Sequence, residues 1–276
     1  MSTTTHWATS SGGTGGAGVP GSSDTVTFDG SSGGGTVTPN FGGTGAFVSV
    51  AMGAFTGTLD FSANNNSLTL SAISAAFNCS GSGTRTLKMG NGTWTLTSTN
   101  GGGLTPWNMT NTSNLTLVAN SSTIVFSGVN VSGGGGRAFV IGAASLTFNN
   151  LTFSGAGNYV LSLGNNCTFN TLTIGGQVNL TVSQGETVTV TSIATTSTSS
   201  TPASIVSNNP GSQYTISASS GTKSFSYIAI KDAVFTGGAT FAATNSFDLG
   251  NNSGATITAP AAGGMHYTND MGGNLG

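Results

Sequence analysis

Alternation of apolar and hydroxyl-bearing residues recurs in short runs along nearly the whole chain, and it limits the possible folds more than any other feature. The run Thr187–Thr191 reads Thr-Val-Thr-Val-Thr, and Thr93–Thr97 reads Thr-Trp-Thr-Leu-Thr. Because successive side chains of a β-strand point to opposite faces, such runs predict strands with one buried and one solvated face. Clusters of Gly, Asn and Ser separate the runs, and these residues favour turns. The sequence therefore predicts an all-β protein of short strands.

Neighbouring runs resemble one another, which favours a stacked β-solenoid. Leu146–Asn150 is followed at once by the similar run Leu151–Gly155. Repeats that contact only their neighbours keep nearly the same apolar positions. At roughly 20 or more residues per repeat, the chain would hold about ten rungs. A β-sandwich is the main alternative, and it would require longer, more distinct strands and a less uniform core.

Composition divides the chain into three segments. Residues 1–45 are rich in Gly and Ser and are predicted to form an N-terminal cap or docking segment with one strand, Thr25–Phe28. Residues 46–259 carry the repeated strands of the solenoid, and residues 260–276 form a C-terminal tail.

Charged residues make up only 4% of the chain, against roughly 25% in ordinary soluble domains. Ser, Thr and Asn must therefore solvate the surface. Five Lys and Arg residues and a net charge of −2 leave no basic stripe for nucleic acid. No apolar stretch is long enough to span a bilayer, and a conventional secretory signal is absent. We therefore expect a protein made in the cytoplasm, without nucleic-acid binding or membrane insertion.

The titratable residues are too few and too dispersed to predict catalysis or a metal site. Seven Asp and Glu residues and two His residues are spread over the chain, whereas an active site needs several such groups in one pocket. No zinc-type ligand spacing occurs. Asp232 and Asp248 could form a carboxylate pair on adjacent rungs, but roles in turns or ion pairs explain them better. We expect no enzyme activity, no cofactor and no metal.

Cysteine and tryptophan residues supply the remaining candidates. Cys79 and Cys167 lie in strand-like runs and are predicted to be buried free thiols, with a disulfide as the alternative. Trp94 alternates with Thr residues and is predicted to fill the core. Trp107 follows a proline in a predicted loop and is a candidate surface contact, and Trp7 is a candidate interface residue.

Two stretches resemble β-helical structural proteins of tailed-phage virions and large bacterial surface proteins. The first is Trp7 followed by Pro20–Phe28, which contains Asp24. The second lies between Ile205 and Ile257, where an aromatic strand and an Asp-containing strand precede the closing turn Ser246-Phe247-Asp248-Leu249-Gly250-Asn251-Asn252.

The resemblance implies a right-handed parallel β-helix that decorates a capsid or forms a head or tail fibre. It implies a location on the virion surface, with major capsid or tail proteins as partners. Homo-oligomers are expected, and trimers are common among such spikes and fibres. It also implies docking roles for Trp7 and Asp24 and a closing turn built on Ser246, Asp248, Gly250 and Asn252. The final strand, Ala255–Ile257, departs from the pattern, because the family often has a Trp there.

Two other functions compete with this one. A carbohydrate-binding adhesin would contact host surface glycans through Trp107 and polar ladders. An ice-binding solenoid would use Thr-X-Thr pairs such as Thr187/Thr189 and Thr95/Thr97, provided that the pairs recur at one place on consecutive rungs. In the sequence the pairs look irregularly spaced and are interrupted by Asn and Ser, which disfavours ice binding.

Overall fold

Short β-strands account for the regular secondary structure of the chain. The computed structural model describes residues 6–99, 103–130 and 135–261. These ranges contain strands β1 to β26 and no α-helix. No helix within them is long and apolar enough to cross a membrane. The prediction of an all-β fold is confirmed.

The strands follow one another along the chain at short intervals. The first half contains β1 Thr25–Phe28, β2 Thr36–Val37, β3 Gly45–Phe47, β4 Ser49–Met52, β5 Thr58–Asp60, β6 Leu68–Leu70, β7 Phe77–Asn78, β8 Arg85–Lys88, β9 Thr93–Leu96, β10 Trp107–Met109, β11 Leu115–Val118, β12 Thr123–Phe126 and β13 Arg137–Ile141. The second half contains β14 Thr147–Phe153, β15 Gly157–Leu163, β16 Cys167–Ile174, β17 Val178–Val182, β18 Thr187–Thr195, β19 Ala203–Ser207, β20 Tyr214–Ser217, β21 Thr222–Ser226, β22 Ile228–Ile230, β23 Ala233–Thr236, β24 Thr240–Thr244, β25 Phe247–Asp248 and β26 Ala255–Ile257.

The strands form four parallel sheets, here named A to D. Sheet A has the order β1-β4-β7-β10-β13-β15-β17-β19-β22-β25, and sheet B has the order β2-β5-β8-β11. Sheet C has the order β3-β6-β9-β12-β14-β16-β18-β20-β23, and sheet D has the order β21-β24-β26. Since no two strands consecutive in the chain pair with each other, the chain winds from sheet to sheet.

Each strand of sheet A begins one rung of a parallel β-solenoid, so the described chain forms ten rungs. The first four rungs pass through sheets A, B and C, the middle rungs pass through A and C, and sheet D joins in the last three. Paired positions of adjacent rungs are 14 to 32 residues apart in the chain. The predicted solenoid and its rung number are confirmed.

The alternation in sequence directs the apolar side chains into the solenoid. In β9, Trp94 and Leu96 are buried and the intervening threonines are half-exposed. The parallel register stacks like on like from rung to rung: Phe148 pairs with Phe169, and their ring centroids lie 5.5 Å apart. Such aromatic pairs contribute about 0.5–1.5 kcal/mol beyond the burial of their area. The core is thus a continuous column of stacked rings and aliphatic side chains.

The N-terminal segment contributes to the first rung as well as covering it. The predicted strand Thr25–Phe28 is β1, which pairs with β4, and β2 pairs with β5. Ahead of them, Trp7 packs on the core with its ring centroid 6.4 Å from that of Phe28. Residues 25–45 therefore belong to the solenoid, and the part before them packs on its end. Apart from residues 260 and 261, the predicted C-terminal tail lies outside the described residues.

Close stacking at the corners explains part of the high glycine content. A Cβ atom on Gly81 would clash with the backbone carbonyl of Gly53 one rung earlier, and one on Gly128 would clash with the carbonyl of Ser98. A residue without a side chain is required where two backbones approach this closely.

Candidate functional surface

The prediction that Trp107 is a surface contact is wrong. The residue lies in β10 rather than in a loop and has no exposed surface. Its ring stacks on Phe139 at a centroid distance of 5.7 Å and lies 4.4 Å from the ring of Phe77. The preceding proline marks the start of a strand here, which is one of the positions a sheet tolerates. Trp94 is also fully buried, as predicted.

Both cysteines are free and buried, which confirms the prediction of unpaired thiols. Burial raises the pKa of each thiol, and the nearby Glu186 carboxyl raises that of Cys167 further. The thiolate is the reactive form of cysteine, so neither thiol is poised as a nucleophile.

Trp7 and Asp24 both lie near the first rung. Trp7 is partly buried against the core, whereas Asp24 is exposed. The Asp24 carboxylate accepts a hydrogen bond from the Gly21 amide at 2.8 Å, and its backbone carbonyl accepts one from the Val48 amide at 2.8 Å. These contacts shape the chain entering β1, and the docking role of both residues stays a prediction.

The structure brings the four residues of the predicted closing turn together. The Asp248 carboxylate accepts hydrogen bonds from the Gly250 amide at 2.9 Å and from Asn252 Nδ2 at 2.6 Å. Gly250 adopts a φ of 97°, a conformation that favours glycine. Ser246 Oγ donates to the Thr244 carbonyl at 2.8 Å and accepts from the Ile228 amide. The turn thus bonds to the preceding rung.

Asp232 and Asp248 lie on adjacent rungs, and each binds amide groups of the turns. The buried Asp232 carboxylate accepts from Asn251 Nδ2 at 2.7 Å and from the Gly211 amide at 3.1 Å. Each carboxylate is therefore occupied by amide donors of the turns. Among the described residues no group of three or more His, Cys, Asp and Glu side chains is placed to hold a metal ion.

Arg85 is a buried residue that the sequence reasoning missed. Its guanidinium donates to the carbonyls of Cys79 at 2.7 Å, Asn111 at 2.6 Å, Gly83 at 3.0 Å and Ser113 at 3.1 Å. The alternation in sequence could have predicted this burial. In the run Arg-Thr-Leu-Lys of β8, Arg85 lies two positions before Leu87 and therefore points to the same, buried face. The four carbonyls compensate the buried cation, so Arg85 joins two rungs and the turns beside them.

Glu186 is a further charged residue that was missed, and it is half-buried. Its carboxylate accepts a hydrogen bond from the Leu163 amide at 2.7 Å. Burial raises the pKa of Glu186 to about 7, although the hydrogen bonds from Leu163 and Ser183 oppose this shift. A carboxyl that titrates near neutrality suits general acid–base chemistry. That chemistry also needs a convergent pocket with further polar groups. The titratable group that interacts with Glu186 is the Cys167 thiol, whose pKa is raised.

The most regular surface of the molecule is the outer face of sheet C, where polar side chains align in three columns. The register of β6, β9, β12, β14, β16 and β18 sets this alignment, and backbone hydrogen bonds just beyond the strands continue it. We call these positions the hydroxyl array. The first column is Ser67, Thr93, Thr123, Asn150, Thr171 and Ser192; the middle column is Thr69, Thr95, Val125, Thr152, Thr173 and Ala194; the third column is Ser71, Thr97, Ser127, Ser154, Gly175 and Thr196.

All but four positions of the hydroxyl array carry a hydroxyl group, and none carries a charge. The pair Thr95/Thr97 lies inside the array, but the equivalent positions on the adjacent rungs are Thr69/Ser71 and Val125/Ser127, so the Thr-X-Thr pair itself does not recur there. The other pair, Thr187/Thr189, lies on the first arm of β18, where Thr189 pairs with Thr168 of the preceding rung. Unequal rung lengths hid this alignment from the sequence.

Hydrogen bonds fix the edges of the array. In the third column Thr97, Ser127 and Ser154 each direct Oγ at a carbonyl of the preceding rung, at 3.3 to 3.4 Å. In the first column Asn150 Nδ2 donates to Thr123 Oγ1 at 3.2 Å. Among the described residues, the middle-column hydroxyls have no protein partner. The array thus has a rigid frame and free hydroxyls along its centre.

No protein-family model matches this chain, and no curated protein or solved structure is significantly similar to it. The function must therefore be argued from the residues and their geometry.

Proposed function

We propose that this protein is a structural component of a tailed-phage virion, projecting from or bracing the capsid or the tail. The observation that carries the proposal is the uninterrupted ten-strand sheet A, which runs from β1 to β25. A stack joined by backbone hydrogen bonds at every rung is a stiff rod, and rigid rods serve as spikes, fibres and braces.

The surface chemistry supports a passive role. Within the described residues one ion pair is present, between Lys88 and Asp60. The buried Arg85 guanidinium donates to four backbone carbonyls, whereas Nε and Nη2 of the buried Arg137 have no partner among these residues. A surface cavity of about 510 Å³ lies between residues 19–22 and 40–47, and no titratable side chain lines it. Neither feature provides the convergent groups that catalysis requires.

The N-terminal segment gives the rod a distinct end. Trp7 packs on the first rung, and Asp24 remains exposed beside it. The resemblance of this segment and of the closing turn to virion β-helices assigns docking to this end. The adhesin alternative lost its main contact when Trp107 proved to be buried.

Particle fractionation tests the proposal. In a phage whose genome carries this coding sequence, we expect the full-length chain to co-sediment with the major capsid protein through a density gradient. Antibodies against the chain should label intact particles in electron micrographs. Recovery of the chain only from the particle-free lysate would overturn the proposal.

A matched pair of variants locates the docking end. Asp24→Lys changes an exposed residue beside the first rung, whereas Thr116→Lys changes an exposed residue of sheet B in the fourth rung. We expect the first variant to be depleted from particles and the second to be incorporated normally. Equal incorporation of both would place the attachment elsewhere.

A further inference from the structure

The hydroxyl array is a two-dimensional lattice. Neighbouring strands of a sheet lie about 4.8 Å apart, and residues two positions apart along a strand lie about 6.6 Å apart. Because the register is maintained from β6 to β18, the hydroxyl groups repeat at these two spacings in two directions. Sheet B, by contrast, carries a single threonine column, Thr36, Thr58, Thr86 and Thr116, beside an ion pair.

The composition of the array excludes most kinds of partner. Nucleic acid requires cationic side chains, and the array has none. Protein interfaces are enriched in aromatic residues, Met and Arg and depleted in Ser, which is the opposite of this surface. Sugar rings are commonly held against aromatic faces, and every position of the array is non-aromatic.

These exclusions leave a neutral, periodic partner that can hydrogen-bond to hydroxyl groups. An ice surface has these properties. The middle column offers free hydroxyls at Thr69, Thr95, Thr152 and Thr173, each beside its own methyl group. Val125 carries a second methyl group in place of the hydroxyl, and Ala194 at the end of the column also lacks a hydroxyl. Threonine is β-branched and has restricted χ1 freedom, so little side-chain entropy is lost when water orders over the column.

We propose that the hydroxyl array binds ice. Water molecules held by the middle column and by the adjoining columns take up the spacing of the rungs and join the lattice of a growing ice crystal. The inference rests on the register of sheet C and holds whether or not the protein is part of a virion.

Thermal hysteresis of the purified full-length protein tests this inference. We expect a gap between the melting and freezing temperatures at millimolar protein, and incorporation of the protein into a slowly growing ice hemisphere. The absence of both would overturn the proposal.

Lysine substitutions test whether the array is the surface that binds ice. Thr152→Lys puts a long charged side chain at the centre of the middle column, and we expect it to weaken ice affinity about tenfold or more. The matched control is Thr86→Lys on sheet B, a half-exposed threonine in the same kind of parallel strand. The control should retain full activity, and circular dichroism should show both variants folded. Equal loss in the two variants would contradict the assignment.

A second experiment determines whether the partner of the array is ice or a solid polysaccharide. The wild-type protein and both variants are mixed with insoluble cellulose and chitin, and the bound fraction is measured. Binding that is lost in Thr152→Lys, in a protein without thermal hysteresis, would assign the array to a neutral polysaccharide and overturn the proposal. Because no virion is used, failure here leaves the test of the proposed function unaffected.

Discussion

The first four rungs and the middle rungs of the solenoid enclose different cores. Rungs that pass through sheets A, B and C surround Trp94 and Trp107, whose ring centroids lie 6.0 Å apart. After β11 sheet B ends, and the middle rungs of sheets A and C are filled by Phe and Tyr rings such as Phe148, Tyr159 and Phe169 and by aliphatic side chains such as Leu161 and Leu172.

Rung length accounts for this difference. The bond from Ala144 to Thr112 joins residues 32 positions apart where the last three-sided rung meets the first two-sided one. Two rungs later, Asn179 and Asn158 are bonded across only 21 positions. Loss of a third side narrows the cross-section, so the two tryptophan rings give way to Phe, Tyr and aliphatic side chains. A solenoid can thus change its core while the strands of sheets A and C continue in register.

The largest expected effect tests the wide core. Trp94→Ala removes a ring that packs 4.8 Å from Phe61 and 5.2 Å from Phe77. Removal of a buried Trp costs about 3–5 kcal/mol, so we expect a loss in this range in the free energy of unfolding, measured by chemical denaturation.

A milder substitution of the neighbouring tryptophan provides the control. Trp94 Nε1 donates to the Met89 carbonyl, whereas Trp107 Nε1 has no partner among the described residues. Trp107→Phe keeps a ring and loses no hydrogen bond, so it should cost less than Trp94→Ala. If Trp94→Ala cost no more than Trp107→Phe, the ring cluster would not be what stabilises the first rungs.

The sequence was sufficient for the strands and the core, but not for the alignment of rungs. Alternation at Trp94 identified a buried residue because it depends only on neighbouring positions. The position of Thr152 beside Thr173 depends on the length of the intervening turn, and spacings of 14 to 32 residues between paired positions leave no fixed period to read. Trp107 was misplaced because Pro106 favours a loop locally, whereas stacking on neighbouring rungs makes it a strand.

A second prediction tests the corner of a three-sided rung. Arg85→Met keeps an unbranched apolar stem but leaves four carbonyls, those of Cys79, Gly83, Asn111 and Ser113, without their donor. Each buried polar group left unpaired costs about 1–3 kcal/mol, and solvent entry relieves part of this. We expect a loss of about 2–4 kcal/mol in the free energy of unfolding. A more stable Arg85→Met variant would show that desolvation of the cation outweighs its hydrogen bonds.

The smallest effect concerns the change of stability with pH, which is expected to have opposite signs in the two regions. In the first rungs, burial tends to raise the pKa of Asp60, but hydrogen bonds from Ser62 and the ion pair with Lys88 hold it below its usual value. Stability from Asp60 is present above the unfolded pKa and is lost as pH falls through the folded one. In the middle rungs, burial raises the pKa of Glu186 to about 7. Its contribution is present below the unfolded pKa and is lost as pH rises through the folded value.

Glu186→Gln separates the two contributions. Glutamine retains an oxygen that can accept the Leu163 amide hydrogen bond and cannot ionise, so the melting temperature of the variant should change less than that of wild type between about pH 5 and pH 8. Asp60→Asn should leave this interval unchanged and flatten the acid limb below about pH 4 instead. Melting curves recorded by circular dichroism across this range measure both effects. A wild-type melting temperature that stays level from pH 5 to 8 and matches Glu186→Gln throughout would show that Glu186 is not desolvated in the folded protein.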